Sequence, residues 1–123
     1  MMNLLILASG KGTRLGSLTE HNPKCLIKVN KKKVIEYLEP CFDRFTKVIV
    51  STGFKKKKIE NFLNNKGINF VYNKDYEKTN MVYSMFNCIN SIDKDVIVTY
   101  SDIIFDLKIF DHFTSKTCIP LNA

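Results

Sequence analysis

The junction after Ala8 restricts the fold more than any other feature of the chain. There the run Asn3-Leu4-Leu5-Ile6-Leu7-Ala8 passes directly into Ser9-Gly10-Lys11-Gly12-Thr13-Arg14-Leu15-Gly16. A continuous apolar run closed by glycines reads as a strand buried on both faces that feeds a loop. The same alternation of strand and helix patterns continues downstream. After Pro23-Lys24, residues 25–29 read as a short extended piece leading to Asn30. Val34, Leu38, Cys41, Phe42 and Phe45 share one face of a helix that Pro40 would bend. Residues 47–52 form a second β-branched run closed by Gly53. Ile59, Phe62 and Leu63 mark a helix with Gly67 as its left-handed C-cap. A third strand spans residues 68–72. A helix over residues 80–90 is expected to pack Val82, Met85, Phe86 and Ile89 on a sheet, and residues 95–100 form a fourth strand leading into Ser101-Asp102. Asp106 can cap a short helix holding Leu107, Phe110 and Phe113, and Cys118-Ile119-Pro120-Leu121 looks like the start of a further strand.

Strands alternating with helices of this length imply a mainly parallel sheet covered on both faces, a three-layer α/β/α architecture. In such sheets ligands bind beyond the carboxyl ends of the strands. The Gly10 loop and Asp102 both fall at those ends. With 123 residues the chain is one domain's worth, read as a single domain over 1–123 without internal repeat or linker.

A content of 45% hydrophobic and 25% charged residues argues against a disordered tail, a collagenous rod or a membrane-embedded chain. No segment approaches the about 18 consecutive apolar residues of a membrane span. The N-terminal run lacks a basic leader and is too short for a signal peptide, so neither export nor a membrane partner is expected. Cys25, Cys41, Cys88 and Cys118 contain no pair at the short spacing of zinc or redox motifs, and read as structural thiols in a reducing cytoplasm. The net charge of +7 would attract phosphates on nucleotides, nucleic acid or lipid. It is carried almost wholly by lysine, only Arg14 and Arg44 being arginine, a bias that an A/T-rich coding sequence explains equally well. Nucleic acid is the less favoured partner, since Lys55 to Lys58 has only Phe54 beside it where single-strand binders interleave aromatic side chains with cations.

Three phosphate-binding patterns can be set against the loop. A P-loop needs Gly-Lys-Ser/Thr, whereas Gly10-Lys11 is followed by Gly12. A dinucleotide fingerprint needs Gly-x-Gly-x-x-Gly and a second strand within about 30 residues; Gly10, Gly12 and Gly16 are spaced differently, and the next parallel strand starts only at Lys47. The third pattern fits. Leu7-Ala8-Ser9-Gly10-Lys11-Gly12-Thr13-Arg14-Leu15 followed by Pro23-Lys24 resembles the signature of the nucleotidyltransferases that activate sugar phosphates and alcohol phosphates, with Ser9 in place of the usual alanine. Residues 51–60 resemble that family's second strand, Gly-aromatic turn and following helix. Ser101-Asp102-Ile103-Ile104-Phe105 is similar to its magnesium-holding segment. Thr79-Asn80-Met81-Val82-Tyr83-Ser84-Met85-Phe86 resembles the branch containing phosphocholine, aminoethylphosphonate and capsule phosphoglutamine cytidylyltransferases.

The resemblance implies a nucleotidyltransferase, Rossmann-like fold and Mg²⁺-dependent transfer of CMP from CTP to a small phosphorylated alcohol, amide or phosphonate, with release of pyrophosphate. Leu7, Ala8, Ser9, Gly10, Lys11, Gly12 and Thr13 would approach the nucleotide, because small residues let backbone N–H groups reach base and phosphates. Arg14 would meet the departing pyrophosphate, Lys24 the α-phosphate, and Asp102 the metal on the triphosphate. Asn80 and Ser84 share a helix face and could contact base or acceptor, while a capping role for Asn80 stays open. Complete catalytic domains of this family are about twice as long, so the chain is expected to be a C-terminally truncated form. Such a form could self-associate through an incomplete sheet edge or be complemented by a C-terminal fragment. A sugar-phosphate acceptor and a non-catalytic nucleotide-binding remnant are the alternatives.

Overall fold

The computed structural model describes residues 2–64 and 66–112, apart from the side chains of Arg14 and Leu15. In chain order its regular elements are β1 (Asn3–Ala8), β2 (Lys28–Val29), β3 (Lys32–Lys33), β4 (Lys47–Thr52), α1 (Lys56–Phe62), β5 (Asn69–Tyr72), α2 (Met81–Asn87) and β6 (Val96–Tyr100), with short 3₁₀ turns between them. Four strands form one sheet in the order β5-β4-β1-β6, and every pairing is parallel. The pair β2 and β3 is a separate antiparallel ribbon, turned by Asn30 and Lys31, both with positive φ.

All six residues of β1 are buried, which is why its sequence shows no alternation. Leu4, Ile6 and Ala8 face a layer built from Cys25, Ile35, Leu38, Cys41, Ile59 and Leu63. Leu5 and Leu7 face the opposite layer with Ile49, Cys88 and the partly buried Met81. The described structure is thus three layers deep, with α1 and the 3₁₀ turns of residues 24–26 and 34–44 on one face and α2 on the other. Each Leu or Ile fully withdrawn from water contributes about 1.5–3 kcal/mol, so β1 carries a large share of the core. Its first residue is polar yet fully buried. Asn3 Nδ2 donates to Thr46 Oγ1 at 3.0 Å, Asn3 Oδ1 accepts from the Asp93 N–H at 3.0 Å, and the Asn3 N–H donates to the Asp95 carbonyl at 2.8 Å. One side chain therefore aligns the starts of three adjacent strands.

Several expectations change. Residues 34–45 form two 3₁₀ turns, Val34–Tyr37 and Glu39–Arg44, rather than one bent helix. Pro40 has no N–H to offer the Glu36 carbonyl and its ring crowds that group, so α-helix cannot pass through it. The expected inward face survives, with Val34, Leu38 and Cys41 buried. Residues 25–29 are extended only from Ile27, with strand pairing at Lys28–Val29, because Lys24–Leu26 closes a 3₁₀ turn. The C-cap of α1 is Leu63, and Gly67 takes its positive φ later, in the turn before β5. The third and fourth strands each start one residue later than expected. Asp106 does accept from the Lys108 N–H at the start of Leu107–His112. Phe113 and the strand expected at Cys118-Ile119-Pro120-Leu121 lie outside the described residues.

The largest correction concerns α2. Its apolar stripe faces outward, Val82 being 55% and Phe86 65% exposed, with Met85 and Ile89 also exposed. The inward face is Met81, Ser84 and Cys88 instead. Buried hydrogen bonds that join Ser84 to the Ser9 hydroxyl and to the donating Asn73 amide hold the helix in this rotation. Beside α2, on the same sheet face, Val98 and Tyr100 of β6 are also exposed, because β6 pairs only with β1 among the described residues.

The three described cysteines are free and buried. Burial pushes the Cys25 thiol up to about 12 and the Cys41 thiol up to about 11 from the ordinary 9.0, and raises Cys88 as well. Between pH 9 and about 11 the unfolded chain therefore releases thiol protons that the folded chain retains. Stability should fall as pH rises through that window, and denaturant unfolding at intervals across it measures the loss. In a Cys118→Ser background, a thiol-reactive disulfide reagent at pH 8 should label no cysteine until the chain is unfolded, and then three.

Candidate active site

The site is built on the carboxyl edge of the sheet, where β1 and β6 end side by side. Beyond Ala8 the backbone passes over Gly53, and the Ser9 carbonyl accepts from the Phe54 N–H at 3.1 Å. A Cβ at position 53 would lie 2.5 Å from that carbonyl oxygen and 2.6 Å from Tyr76 Cβ, so only glycine allows the approach. Gly12 has φ of 66°, and a Cβ there would meet Lys24 Cγ at 2.6 Å. The Lys24 stem thus lies directly on Gly12. Thr19, itself buried, donates its hydroxyl to the Gly12 carbonyl at 2.6 Å and helps to hold the loop.

A buried polar relay supports the loop from α2. Asn73 Nδ2 can only donate, and does so to Ser84 Oγ at 3.1 Å and Thr79 Oγ1 at 2.9 Å. The Ser84 hydroxyl, which accepts from Asn73, shares a buried hydrogen bond of 2.8 Å with the Ser9 hydroxyl. Ser9 in turn points its hydroxyl at Met81 Sδ, 3.9 Å away. Asn73 Oδ1 accepts from the Asp75 N–H, closing a turn directly after β5. This relay ties the ends of β1 and β5 to the first turns of α2, whose N-cap is Asn80, accepting from the Tyr83 N–H at 3.1 Å.

Lys24 and Asp102, 78 positions apart, meet at 3.1 Å between Nζ and Oδ2. Each is positioned by its own neighbours. Pro23 is fully buried and starts the turn whose Cys25 and Leu26 are anchored in the core. The Ser101 N–H donates to the Leu7 carbonyl at 3.2 Å, extending the β1–β6 ladder by one rung before Asp102 turns away. The two charged groups sit at one cleft of about 300 Å³, whose walls include Ala8, Gly10, Met81 and Ser101. They are the only charged residues lining it among the described residues.

Of the residues singled out from sequence, Leu7, Ala8, Gly10, Lys24 and Asp102 line this cleft. Ser9 and Ser84 lie buried behind it, and Gly12 lies beneath the Lys24 stem. Lys11 and Thr13 line a second hollow, and Lys11 pairs with Glu77 at 3.4 Å. Asn80 has its side-chain oxygen engaged as a cap. The Arg14 side chain lies outside the described structure. Asn73 and Thr19 were not singled out from sequence, and Gly53 was read only as the turn that closes a strand. Asn73 offered a signal, an asparagine at a strand end two residues before an aspartate, whereas the roles of Thr19 and Gly53 depend on contacts across the fold.

No group of three His, Cys, Asp or Glu side chains among the described residues could enclose a metal. The donor set at the cleft is one carboxylate, Asp102. That suits a hard divalent cation that arrives on phosphate oxygens and needs only one or two protein carboxylates, and does not suit a resident, protein-caged ion. No helix among the described residues is long and apolar enough to cross a membrane.

Residues 4–117 match the family described as MobA-like NTP transferase domain. The chain is 35% identical over 114 residues to the CTP:phosphoglutamine cytidylyltransferase of Campylobacter jejuni, across 85% of this chain and 45% of that protein. It is 30% identical over 117 residues to a UTP–glucose-1-phosphate uridylyltransferase of Haloferax volcanii, across 89% of this chain and 47% of that protein. The solved CTP:phosphocholine cytidylyltransferase of Streptococcus pneumoniae superposes with a TM-score of 0.74 at 30% identity, covering 83% of this chain and 46% of that one. The chain spans about half the length of the curated relatives it matches.

The contacts beneath the loop predict distinct stability effects. Asn73→Ala should cost about 1–3 kcal/mol by stranding buried partners, whereas Lys24→Ala, at a partly exposed pair, should stay within about 0.5 kcal/mol of the parent. Gly12→Ala should destabilise through both its positive φ and the Lys24 contact. Adding Lys24→Ala should recover the second part only. Urea unfolding of the four variants and the parent measures these differences.

Proposed function

The chain belongs to the MobA-like NTP transferase domain family, and on that premise we propose that its cleft binds a nucleoside triphosphate, CTP before others, for nucleotidyl transfer to a small phosphorylated alcohol, amide or phosphonate. The observation that carries this reading is the meeting of Lys24 and Asp102 beside the glycine-rich loop, from segments distant in sequence. Attack by an acceptor phosphate oxygen at the α-phosphorus, with pyrophosphate leaving, gathers negative charge that must be screened while the partners stay in line.

In this reading the backbone N–H groups from Gly10 to Thr13 approach the triphosphate, with Gly10 and Gly12 leaving room. The Lys24 ammonium screens the α-phosphate and the incoming phosphate, and its stem, resting on Gly12, sets its reach. Arg14 is assigned to the departing pyrophosphate on sequence grounds. Asp102 is the residue that would hold Mg²⁺, which when bound supplies charge screening on the triphosphate oxygens. Ser9, Ser84 and Asn73 keep the loop in register with the cleft. Asn80 acts through α2, as its cap. CTP is favoured by the identity to the Campylobacter jejuni cytidylyltransferase and by the segment from Thr79 to Phe86. The Haloferax volcanii relative supports the second reading, UTP with a sugar phosphate.

Calorimetric titration of the full chain with CTP, UTP, ATP and GTP in the presence of Mg²⁺ tests the proposal. CTP should bind most tightly, and Lys24→Ala or Arg14→Ala should weaken it by an amount equivalent to about 1.5–3 kcal/mol. Lys56→Ala should change nothing, since Lys56 lies over the Tyr72 ring, 4.3 Å from its centroid. Absence of heat with all four nucleotides would refute the reading, and a preference for UTP would move it to sugar phosphates. Pyrophosphate release with phosphocholine, 2-aminoethylphosphonate, phosphoglutamine or glucose 1-phosphate should be far below about 1 per second. The described cleft offers one cation and one carboxylate, too few to hold both substrates in line.

A further inference from the structure

We infer that the lysine face formed by the β2–β3 ribbon and α1 docks the chain on an anionic lipid surface. Residues 28–33 hold Lys28, Lys31, Lys32 and Lys33, residues 55–58 are four consecutive lysines, and neither stretch contains Asp or Glu. Folding brings the two stretches together. Lys58, in the first turn of α1, donates to the His21 carbonyl and to Asn22 Oδ1, while Lys33 Nζ lies 4.2 Å from the centroid of the Phe62 ring at the other end of the helix. The segment from His21 to Lys33 therefore runs alongside α1, and eight of the 19 cationic side chains gather in one region of the surface. Six of them are exposed, with Lys33 and Lys56 half-buried.

The charge of this face is left uncancelled. Among the described residues the five ion pairs employ Lys11, Lys24, Arg44, Lys47 and Lys66, and none of the eight. Their partners are neutral instead. Besides the two contacts of Lys58, the Nζ atoms of Lys32, Lys33, Lys55 and Lys56 lie 4.7, 4.2, 5.7 and 4.3 Å from the centroids of the Tyr37, Phe62, Phe54 and Tyr72 rings, which are all the cation–π contacts of the described residues. A ring holds an ammonium in place without neutralising it. Two carboxylates nearby are engaged already, Glu36 accepting from the Lys33 backbone N–H and Glu39 pairing with Lys66, which leaves Glu60 as the one acidic residue of α1. Lys31 and Lys55 hold left-handed backbone, with φ of 72° and 54°, where glycine would be less strained. The backbone calls for lysine at neither position, so both can be removed without harm to the fold.

Neither hollow described above is lined by any of the eight, so the face offers no pocket for a single small anion. A broad, unneutralised field suits an extended array of negative charge. Single-stranded nucleic acid would need aromatic faces free for its bases, and Tyr37, Phe62 and Tyr72 are already covered by lysine. No arginine stands among the eight, and lysine supplies hydrated point charges rather than the forked donors that read base edges. Val29, 39% exposed beside Lys28, adds an apolar side chain of the kind that enters the headgroup boundary. Contact of this kind needs no membrane-crossing segment, the one form of membrane association against which the apolar patterning argues. The face is separate from the cleft and does not rest on the triphosphate reading.

Co-sedimentation of the full chain with vesicles of phosphatidylcholine alone, and of phosphatidylcholine with roughly one third phosphatidylglycerol, tests the inference. The chain should bind the anionic vesicles and not the neutral ones, and should release them at about 1 M salt, where screening reaches about 3 Å. Lys31→Gly and Lys55→Gly should each weaken binding about fivefold and together about 25-fold, while leaving the Tm close to that of the parent. Lys28→Gln with Lys32→Gln provides the same reading should a glycine variant fail to fold. Lys94→Gln with Lys108→Gln removes as much charge outside the face and should leave binding unchanged. No binding to anionic vesicles, equal binding to both kinds, affinity unaltered in the paired glycine and paired glutamine variants of the face, or equal weakening by Lys94→Gln with Lys108→Gln would overturn the inference. Tighter binding to a single-stranded or duplex oligonucleotide than to the anionic vesicles, lost in the same glycine variants, would also overturn it and assign the face to nucleic acid.

Discussion

The structure depends first on the burial of β1. A strand paired on both edges and covered on both faces cannot shift its register without repacking both layers and both ladders, and Asn3 pins its start to β4 and β6. That rigidity is passed to the carboxyl edge. Leu7 holds Ser101 through its carbonyl, so the position of Asp102 is set by the same strand that delivers the glycine loop. The two halves of the cleft are therefore referenced to one element, and their separation does not depend on the surface loops between them.

The loop itself has little apolar material to hold it, so its shape comes from close backbone approaches and buried hydroxyls. Gly53 admits the Ser9 carbonyl, Thr19 holds the Gly12 carbonyl, and the Asn73–Ser84–Ser9 relay joins the loop to α2. Such contacts are short-range and directional, so they fix position better than they add stability. The polar relay also explains the orientation of α2. The helix turns its small polar face inward and its apolar stripe outward, which with Val98 and Tyr100 leaves an apolar surface along one side of the described structure. A patch of that character is the usual mark of a surface that other polypeptide covers.

The parallel three-layer architecture, the positions of the four parallel strands to within a residue and the placing of the glycine loop and Asp102 at strand ends were legible in the sequence. Apolar runs and glycines are local signals, and a buried parallel strand has few alternatives. The cleft residues Ala8, Gly10 and Asp102 were legible from their places at or just after strand ends, whereas Lys24, far from any strand end, was legible only through the resemblance of Pro23-Lys24 to a known signature. The break at Pro40 was half legible, since a proline marks a bend locally while the choice of two 3₁₀ turns over a kinked helix depends on what the flanking side chains pack against.

Sequence alone thus determined the four strands of the parallel sheet and where the glycine loop lies. Tertiary structure alone decided that Lys24 pairs with Asp102, that Gly12 and Gly53 are needed for the approach of distant atoms, and that α2 faces inward with Ser84. The physical reason is the range of the forces involved. Hydrophobic periodicity is written within a few consecutive residues, whereas the partner of a charge, the neighbour of a missing Cβ and the rotation of a helix are set by groups that only folding brings within about 3 Å.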